Sequence, residues 1–291
     1  MDTAELIKKV RKIEIKTRGI TRDLFSGNYQ SVFKGRGMAF SEVREYFPGD
    51  DVRTIDWNVT AKLNHPYVKV FEEERELTVM LLVDISRSQE FGTSVQFKNE
   101  MIAELCAVLS FSAIGNNDKI GLLLFSDKIE KFIAPKKGRS HALRIIRELL
   151  EFRPVSSGTD IGNALRYFTN MMKKRTIAFV VSDFIADDFS EPLKIASKKH
   201  DTIFIRVNDP REKELPPIGL AKVRDPETGG IIWVDTSNKK SREHYRHWWE
   251  NKDAHIRALA VKSKVDIIDL STDGSYITPL RKFFRKREIR K

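Results

Sequence analysis

Three oxygen-bearing side chains stand at alternate positions directly after an apolar run: Asp84, Ser86 and Ser88. One carboxylate and two hydroxyls are hard oxygen ligands, of the kind that Mg²⁺ prefers. The preceding run, residues 77–83 (LTVMLLV), is apolar except at Thr78. Because it has no polar alternation, it predicts a strand that is buried on both faces at the centre of a parallel sheet. Open α/β sheets bind ligands at the carboxyl ends of their strands, where these three residues would lie.

Two later segments can complete such a site. Residues 156–165 (SSGTDIGNAL) form a glycine-containing loop in which Thr159 comes just before a predicted helix. Residues 176–183 (TIAFVVSD) form a second apolar strand, which ends at Asp183. All of these residues fall in strand-to-helix loops on one edge of the predicted sheet. The alternative role of each segment alone is capping of the next turn or helix, and we interpret Asp160 as a cap rather than a ligand.

The elements that must position these residues begin at residue 77. From there strands alternate with helices, which predicts an α/β fold with a doubly wound, mostly parallel sheet. The predicted strands are 77–83, 119–125, 128–134, 176–183, 201–207 and 265–270, with a hairpin over 220–235. The predicted helices are 94–115, 139–151, 160–173, 189–199, 239–261 and 276–287.

The region before residue 77 has a different pattern. Apolar residues at helical spacing predict a helix over 3–17, and a β-rich module follows. Its predicted strands are 29–33, 40–46, 52–58 and 67–71, and Trp57 is expected to be buried. The predicted organisation is therefore an N-terminal helix and β-rich extension (1–76), an α/β domain (77–275) and a basic C-terminal helix or tail (276–291).

Composition limits the classes of function. The 291 residues are 41% hydrophobic and 32% charged, with Cys106 as the single cysteine. An internal disulfide and a cysteine-based zinc site are therefore excluded, and a reducing cytoplasm is expected. No apolar run approaches the ~18 residues that a membrane span requires. The N-terminal residues have no apolar core segment and do not resemble a secretory signal.

The positive charge is concentrated near the C-terminal end. The net charge is +11, and residues 239–291 carry 15 basic and 7 acidic groups, a difference of +8. Such a surface suits nucleic acid, an anionic membrane or an acidic protein. In the tail, Phe283 and Phe284 stand together between two runs of basic residues. We expect this helix to dock through the two phenylalanines, which makes nucleic-acid binding the weaker alternative and leaves peripheral membrane contact open.

The segments DISRS (84–88), GTDIG (158–162) and the strand-terminal Ser-Asp pair (182–183) together resemble the metal-ion-dependent adhesion site of von Willebrand factor A domains. The upstream pattern over residues 35–63, GRGMAFSEVREYFPGDDVRTIDWNVTAKL, resembles the bacterial family called domain of unknown function fifty-eight. Members of that family join such a segment to a von Willebrand A-like domain. The long upstream motif is the more specific of the two signals.

The resemblance implies a role for each site residue. Ser86 and Ser88 would coordinate Mg²⁺ or Mn²⁺ through their hydroxyls, and Thr159 directly or through water. Asp84 and Asp183 would act mainly through water and balance the charge. One coordination position would stay open for a Glu or Asp of a partner protein, which the family resemblance implies is often a MoxR-type AAA+ ATPase in a chaperone-like or regulatory system.

One departure from the family pattern lies inside the first segment. Arg87 and Gln89 flank Ser88 where the family usually has small residues and a methionine. An arginine that points outward could hold an incoming carboxylate in a bidentate pair, whereas one that points inward would weaken metal binding.

Catalytic functions have less support in the sequence. A phosphatase of the haloacid dehalogenase type needs a second aspartate where Ser86 stands, and no P-loop or Ser–His–Asp arrangement is present. We therefore expect a non-catalytic protein-interaction module. An Mg²⁺-dependent phosphohydrolase that uses the same sheet edge and a basic nucleic-acid- or membrane-binding protein are the alternatives.

Overall fold

The computed structural model describes most of the chain. The described residues are 8–17, 20, 38–73, 76–86, 98–154, 156, 158–224 and 230–289. Five predicted features lie outside them. They are the strand over 29–33, the first residues of the N-terminal helix, the first residues of the helix over 94–115, the turn of the hairpin over 220–235, and the position of Ser88 with its neighbours Arg87 and Gln89.

The described elements follow the predicted alternation. The strands are β1 (Met38–Glu45), β2 (Tyr67–Glu73), β3 (Thr78–Asp84), β4 (Lys119–Phe125), β5 (Ile129–Lys136), β6 (Ile177–Ser182), β7 (Asp201–Asn208), β8 (Leu220–Arg224), β9 (Ile231–Asp235) and β10 (Asp266–Ser271). The helices are α1 (8–17), α2 (Trp57–Leu63), α3 (Lys98–Gly115), α4 (Arg139–Glu151), α5 (Ile161–Met171), α6 (Ser190–Lys199), α7 (Lys239–Ser263) and α8 (Ile277–Ile289).

The central sheet has six strands in the order β10-β7-β6-β3-β4-β5. Neighbouring strands are parallel, except that the edge strand β5 runs antiparallel to β4. The predicted doubly wound, mostly parallel α/β fold is confirmed. β3 is the first strand of this sheet in the chain, and later strands add on both of its sides.

Helices cover both faces of the sheet, which is why β3 is apolar without alternation. Val79, Leu81 and Val83 pack on the face covered by α3, α4 and α8. Met80 and Leu82 pack on the opposite face, which α5, α6 and α7 cover. The predicted buried strand is therefore confirmed, and the helix α1 packs outside this core through Ile13 against α3 and α4.

Gly121 on β4 lies where the sheet leaves no room for a side chain. A Cβ at this position would overlap Met80 Sδ and lie 2.9 Å from the carbonyl oxygen of Ile133. Because neither strand can yield easily, we expect Gly121→Ala to lower the free energy of unfolding by about 2 kcal/mol in urea denaturation. Gly115→Ala, at a helix end with no atom within 4 Å of the added Cβ, is the matched control. Equal stability of the two variants would contradict this account of the packing.

The segment before β2 is helical rather than extended. The predicted strand over 52–58 is wrong: the structure has a 3₁₀ turn over Val52–Thr54 and then α2. The cause is local, because the Asp56 side chain accepts hydrogen bonds from the backbone N–H groups of Asn58 and Val59 and so starts a helix. Trp57 lies at the first turn of α2 and is 70% exposed, so its predicted burial is also wrong.

The basic C-terminal helix docks on the sheet as expected. Phe283 and Phe284 are buried in the core. Arg287 completes the contact, since its guanidinium donates to both oxygens of Asp201 and to Asp266. Within the described ranges no helix combines the length and the apolar character that a bilayer crossing requires.

Candidate metal centre

The candidate site lies where β3 and β6 end side by side. The register pairs Val83 with Val181, so Asp84 and the residues after Val181 emerge at the same edge. The chain leaves β3 for β4 on one side and later returns as β6 on the other. Such a reversal of strand order opens a crevice at the carboxyl edge, the usual ligand position in this class of sheet.

Asp84 is fixed by one hydrogen bond from the loop after its own strand and one from the end of β6. The side chain is only 1% exposed. Its Oδ1 accepts from the backbone N–H of Ser86 at 2.9 Å, and its Oδ2 accepts from the hydroxyl of Ser182 at 2.7 Å. Ser182 is fixed in turn, because its Oγ accepts from the backbone N–H of Phe184 at 3.0 Å. Both oxygens of this carboxylate therefore accept hydrogen bonds from uncharged donors.

The electrostatics of this pocket disfavour a second negative charge. Burial and then the nearby charge of Asp183 raise the pKa of Asp84 to about 7, although hydrogen bonds from Ser182 and Ser86 act in the opposite direction. When a cation enters the site, it stabilises the ionised form of a carboxyl group whose pKa is raised in this way.

The raised pKa predicts how the metal-free protein responds to pH. In the unfolded chain Asp84 loses its proton near its usual pKa of 3.8, whereas in the folded protein it keeps it to about pH 7. Between these values the folded state binds more protons, so its stability falls as pH rises, by about 1 kcal/mol per pH unit from this group. Burial lowers the pKa of His200, which adds a component of opposite sign to the wild type and the variant alike, so the two proteins are compared with each other. From pH 5 to pH 7 the melting temperature of the chelator-treated wild type should fall relative to that of Asp84→Asn, which lacks the Asp84 component. An identical pH slope in the variant would contradict the prediction.

The loop that carries Thr159 is held at the same edge by a hydrogen bond to the end of β4. The backbone N–H of Asp160 donates to the carbonyl of Ser126 at 2.9 Å, and that of Ile85 donates to the adjacent carbonyl of Phe125 at 2.9 Å. The Thr159 loop and the Asp84 loop are thus both anchored to the end of one strand. Asp160 caps α5, accepting from the backbone of Asn163, and its predicted role as a cap is confirmed.

Two buried oxygens at this edge lack hydrogen-bond donors. Within the described part of the chain, Thr159 Oγ1 and Asp183 Oδ2 are buried and have no hydrogen-bond partner. The other oxygen of Asp183 accepts from the backbone N–H of Ile185 at 3.1 Å, and Lys98 Nζ lies 3.6 Å from Oδ2. An unsatisfied buried oxygen costs about 1–3 kcal/mol. The donor set therefore fits a divalent cation, which would bind Thr159 Oγ1 directly or through water and Asp183 Oδ2 through water.

Backbone strain accompanies the Asp183 turn. Phe184 has a φ of +60°, a left-handed conformation that is costly for a bulky residue. The ring is buried against Phe189 and Phe204, which hold the residue in place. Strain of this kind persists where the surrounding packing imposes it, often at functional sites.

Comparison with protein-family models gives one family. The model described as "Protein of unknown function DUF58" matches residues 42–255, which is more than half of the chain. The chain belongs to the DUF58 family. The family resemblance seen in residues 35–63 is thereby confirmed, whereas the adhesion-site resemblance remains a prediction.

This DUF58 protein is similar to mycobacterial proteins whose names describe them as uncharacterised. The protein Rv1480 of Mycobacterium tuberculosis H37Rv is 29% identical over 290 residues, which cover 99% of this chain and 91% of the relative. The protein MAV169 of Mycobacterium avium is 27% identical over 135 residues, covering 46% of this chain and 79% of the relative.

Solved structures of low similarity were also found. BatB from Bacteroides thetaiotaomicron has a TM-score of 0.49 and 19% identity, covering 74% of this chain and 100% of that chain. The VWA domain of SpRpn10 has a TM-score of 0.39 and 10% identity, covering 70% and 93% respectively. The order and direction of the strands in the central sheet define the fold independently of these similarities.

For this DUF58 protein, four of the five predicted ligands lie at the described sheet edge: Asp84, Ser86, Thr159 and Asp183. Ser88 falls outside the described residues. Coordination of an ion by the five residues stays a prediction.

Sequence reasoning missed the roles of three residues that surround the site. Ser182 bridges to Asp84, and Lys98 and Glu212 form an ion pair of 2.6 Å beside Asp183. A signal for Lys98 was present, because it lies three and four residues before the buried Met101 and Ile102 on one helix face. Glu212 gave no such signal, since it follows β7 in a short turn.

Proposed function

We propose that this DUF58 protein is a non-catalytic interaction module. It binds a divalent cation, Mg²⁺ or Mn²⁺, at the carboxyl edge of its sheet, and through that ion it binds an acidic side chain of a protein partner. The observation that carries the proposal is a pair of buried oxygens, Thr159 Oγ1 and Asp183 Oδ2, which have no hydrogen-bond donor among the described residues and lie at the edge that also buries Asp84.

The residues divide into direct ligands and outer carboxylates. The hydroxyls of Ser86, Ser88 and Thr159 would hold the ion, and Asp84 and Asp183 would supply the compensating charge through water. Mg²⁺ prefers six oxygens and retains waters readily, which suits so few charged ligands. When bound, the ion supplies a positive charge that remains incompletely neutralised and so attracts a carboxylate. The protein's own part is to keep Asp84 oriented through Ser182.

The family resemblance suggests the kind of partner. We propose a MoxR-type AAA+ ATPase, with the pair acting in the cytoplasm as a chaperone-like or regulatory system. Binding of nucleic acid through the basic C-terminal helix has less support, because the phenylalanines of that helix are buried and Arg287 is engaged by two aspartates. We propose peripheral membrane contact, through the exposed basic residues of the same helix, as a secondary role.

Removing the Thr159 hydroxyl tests the proposal with little change in shape. We expect the protein to bind the purified MoxR-type ATPase of the same genome in Mg²⁺ and to lose that binding in EDTA. Thr159→Val should weaken the Mg²⁺-dependent binding at least about tenfold, because the ion loses a ligand. Biolayer interferometry would measure both effects.

The matched control is Thr169→Val. The hydroxyl of Thr169 donates only to the carbonyl of Leu165 within α5, so this variant should bind like the wild type. Equal partner binding in Mg²⁺ and EDTA would refute the proposal that the ion mediates the contact.

A further inference from the structure

A lysine is buried beside the candidate metal centre. Lys98 opens α3 and is 0% exposed. Its Nζ lies 2.6 Å from Glu212 Oε1 and 3.6 Å from Asp183 Oδ2. A buried ammonium is costly unless carboxylates compensate it, so its position is fixed by these two acidic groups. One of them is a predicted outer carboxylate of the metal centre, and the other is not.

Glu212 is held in place independently of Lys98. Its other carboxylate oxygen accepts from the backbone N–H of Asp209 at 3.1 Å, in a capping box at the end of β7. Its carbonyl oxygen accepts from the hydroxyl of Tyr245 on α7 at 2.7 Å. Asp209 is anchored by Thr272 from β10's end at 2.8 Å. The acceptor for Lys98 is therefore rigid, and its negative charge stays close to the ammonium.

The two members of the pair act on a bound cation with opposite signs. The ammonium of Lys98 repels a divalent ion near Asp183 and competes with it for that carboxylate. The carboxylate of Glu212 offsets this repulsion, because it neutralises the ammonium at a shorter distance than Asp183 does. In the metal-free protein the same ammonium stabilises Asp183, whose Oδ2 has no hydrogen-bond donor among the described residues.

We infer that the Lys98–Glu212 pair sets the divalent-cation affinity of this site, with Lys98 as an internal competing cation and Glu212 as the group that holds its charge away from the ion. The inference rests on the proposed function. The pair makes metal binding reversible, because the ammonium of Lys98 replaces the ion as the counter-charge of Asp183 when the ion leaves.

The test is a charge series measured by Mn²⁺ calorimetry on the full chain. Lys98→Met removes the competing charge while keeping the length of the side chain, and we expect Mn²⁺ to bind at least about tenfold more tightly. Glu212→Gln keeps the hydrogen-bond acceptor of the capping box but frees the charge of Lys98, and we expect binding at least about tenfold weaker. The Mn²⁺ affinity of the double variant should lie between the affinities of the two single variants.

The two single variants are expected to change the Mn²⁺ affinity in opposite directions, and this distinguishes the proposed role from a structural one. If both side chains only supported the fold, both single variants would weaken Mn²⁺ binding, and that result would overturn the inference. Affinities that are all within threefold of the wild type would overturn it too. If Lys98→Met fails to fold, the double variant must still bind more tightly than Glu212→Gln.

A surface-lysine control and thermal melting in chelator are the two further measurements. Lys119→Met removes a lysine that pairs with Glu76 at the opposite edge of the sheet, and its Mn²⁺ affinity should equal that of the wild type. Thermal melting in chelator should show Lys98→Met destabilised, because Asp183 and Glu212 lose their counter-charge. Absence of Mn²⁺ binding in the wild type and in every variant would refute the proposed function itself, whereas binding that ignores the series refutes only the inference.

Discussion

Asp84→Asn is expected to abolish Mn²⁺ binding, with a loss of at least about a hundredfold in affinity, and at the same time to stabilise the metal-free protein at pH 7. The substitution keeps the size of the side chain but removes one of the two carboxylates at the sheet edge. The ion then loses compensating charge. In the absence of metal, the repulsion between Asp84 and Asp183 and the cost of burying a carboxylate both disappear.

The control is a second buried aspartate at the other end of the sheet. Asp118 is 0% exposed, and its Oδ1 accepts from the backbone N–H of Leu77 at 2.8 Å. Burial raises its pKa to about 6. Asp118→Asn removes an equally buried carboxylate far from the candidate site, so it should leave Mn²⁺ affinity unchanged. Calorimetry measures the affinity, and urea denaturation in chelator measures the stability.

Asp84→Asn is expected to lower the Mn²⁺ affinity and to raise the stability of the metal-free protein. A residue that merely supports the fold would lower stability when it is replaced, and any loss of metal binding would follow from that. Wild-type Mn²⁺ affinity in Asp84→Asn, or a metal-free variant that is less stable than the wild type at pH 7, would contradict the proposed role of Asp84.

Phe284→Ala is expected to cost about 3–5 kcal/mol of unfolding free energy. Phe284 is buried where α8 packs on the sheet, edge to face with Phe283 at a ring-centroid distance of 5.1 Å. Truncation would leave a cavity between the helix and the sheet, which the fixed contacts of Arg287 with Asp201 and Asp266 prevent from collapsing.

Lys286→Ala, on the exposed side of the same helix, is the matched control and should change stability by less than about 0.5 kcal/mol. Urea denaturation at neutral pH distinguishes the two variants. If Phe284→Ala were equally harmless, α8 would not be docked, and the basic tail would again be a candidate for binding nucleic acid or membrane.

The parts of the fold that could be predicted are those that follow from local pattern. The apolar runs that became β3 and β6 have no alternation, and strands buried on both faces require such runs. The two aspartates that end them could then be assigned to one edge, because parallel strands share their carboxyl ends. Docking through Phe283 and Phe284 was also predictable from two aromatic residues within a basic helix.

The wrong predictions arose where a short-range interaction overrides the pattern. Residues 52–58 have β-branched and aromatic residues, yet the Asp56 cap starts a helix there and leaves Trp57 exposed. The ion pair of Lys98 with Glu212 could not be predicted either. It joins α3 to a turn after β7, and only the sheet order brings these segments together.

The most direct test of the central claim is anomalous diffraction from crystals grown with Mn²⁺. We expect one anomalous peak at the carboxyl edge of the sheet, between the loop after Asp84 and the loop that carries Thr159, with oxygen neighbours from both loops. The peak should be absent in crystals of Asp84→Asn grown under the same conditions. A wild-type map without a peak at this edge, or with its peak elsewhere on the molecule, would contradict the claim.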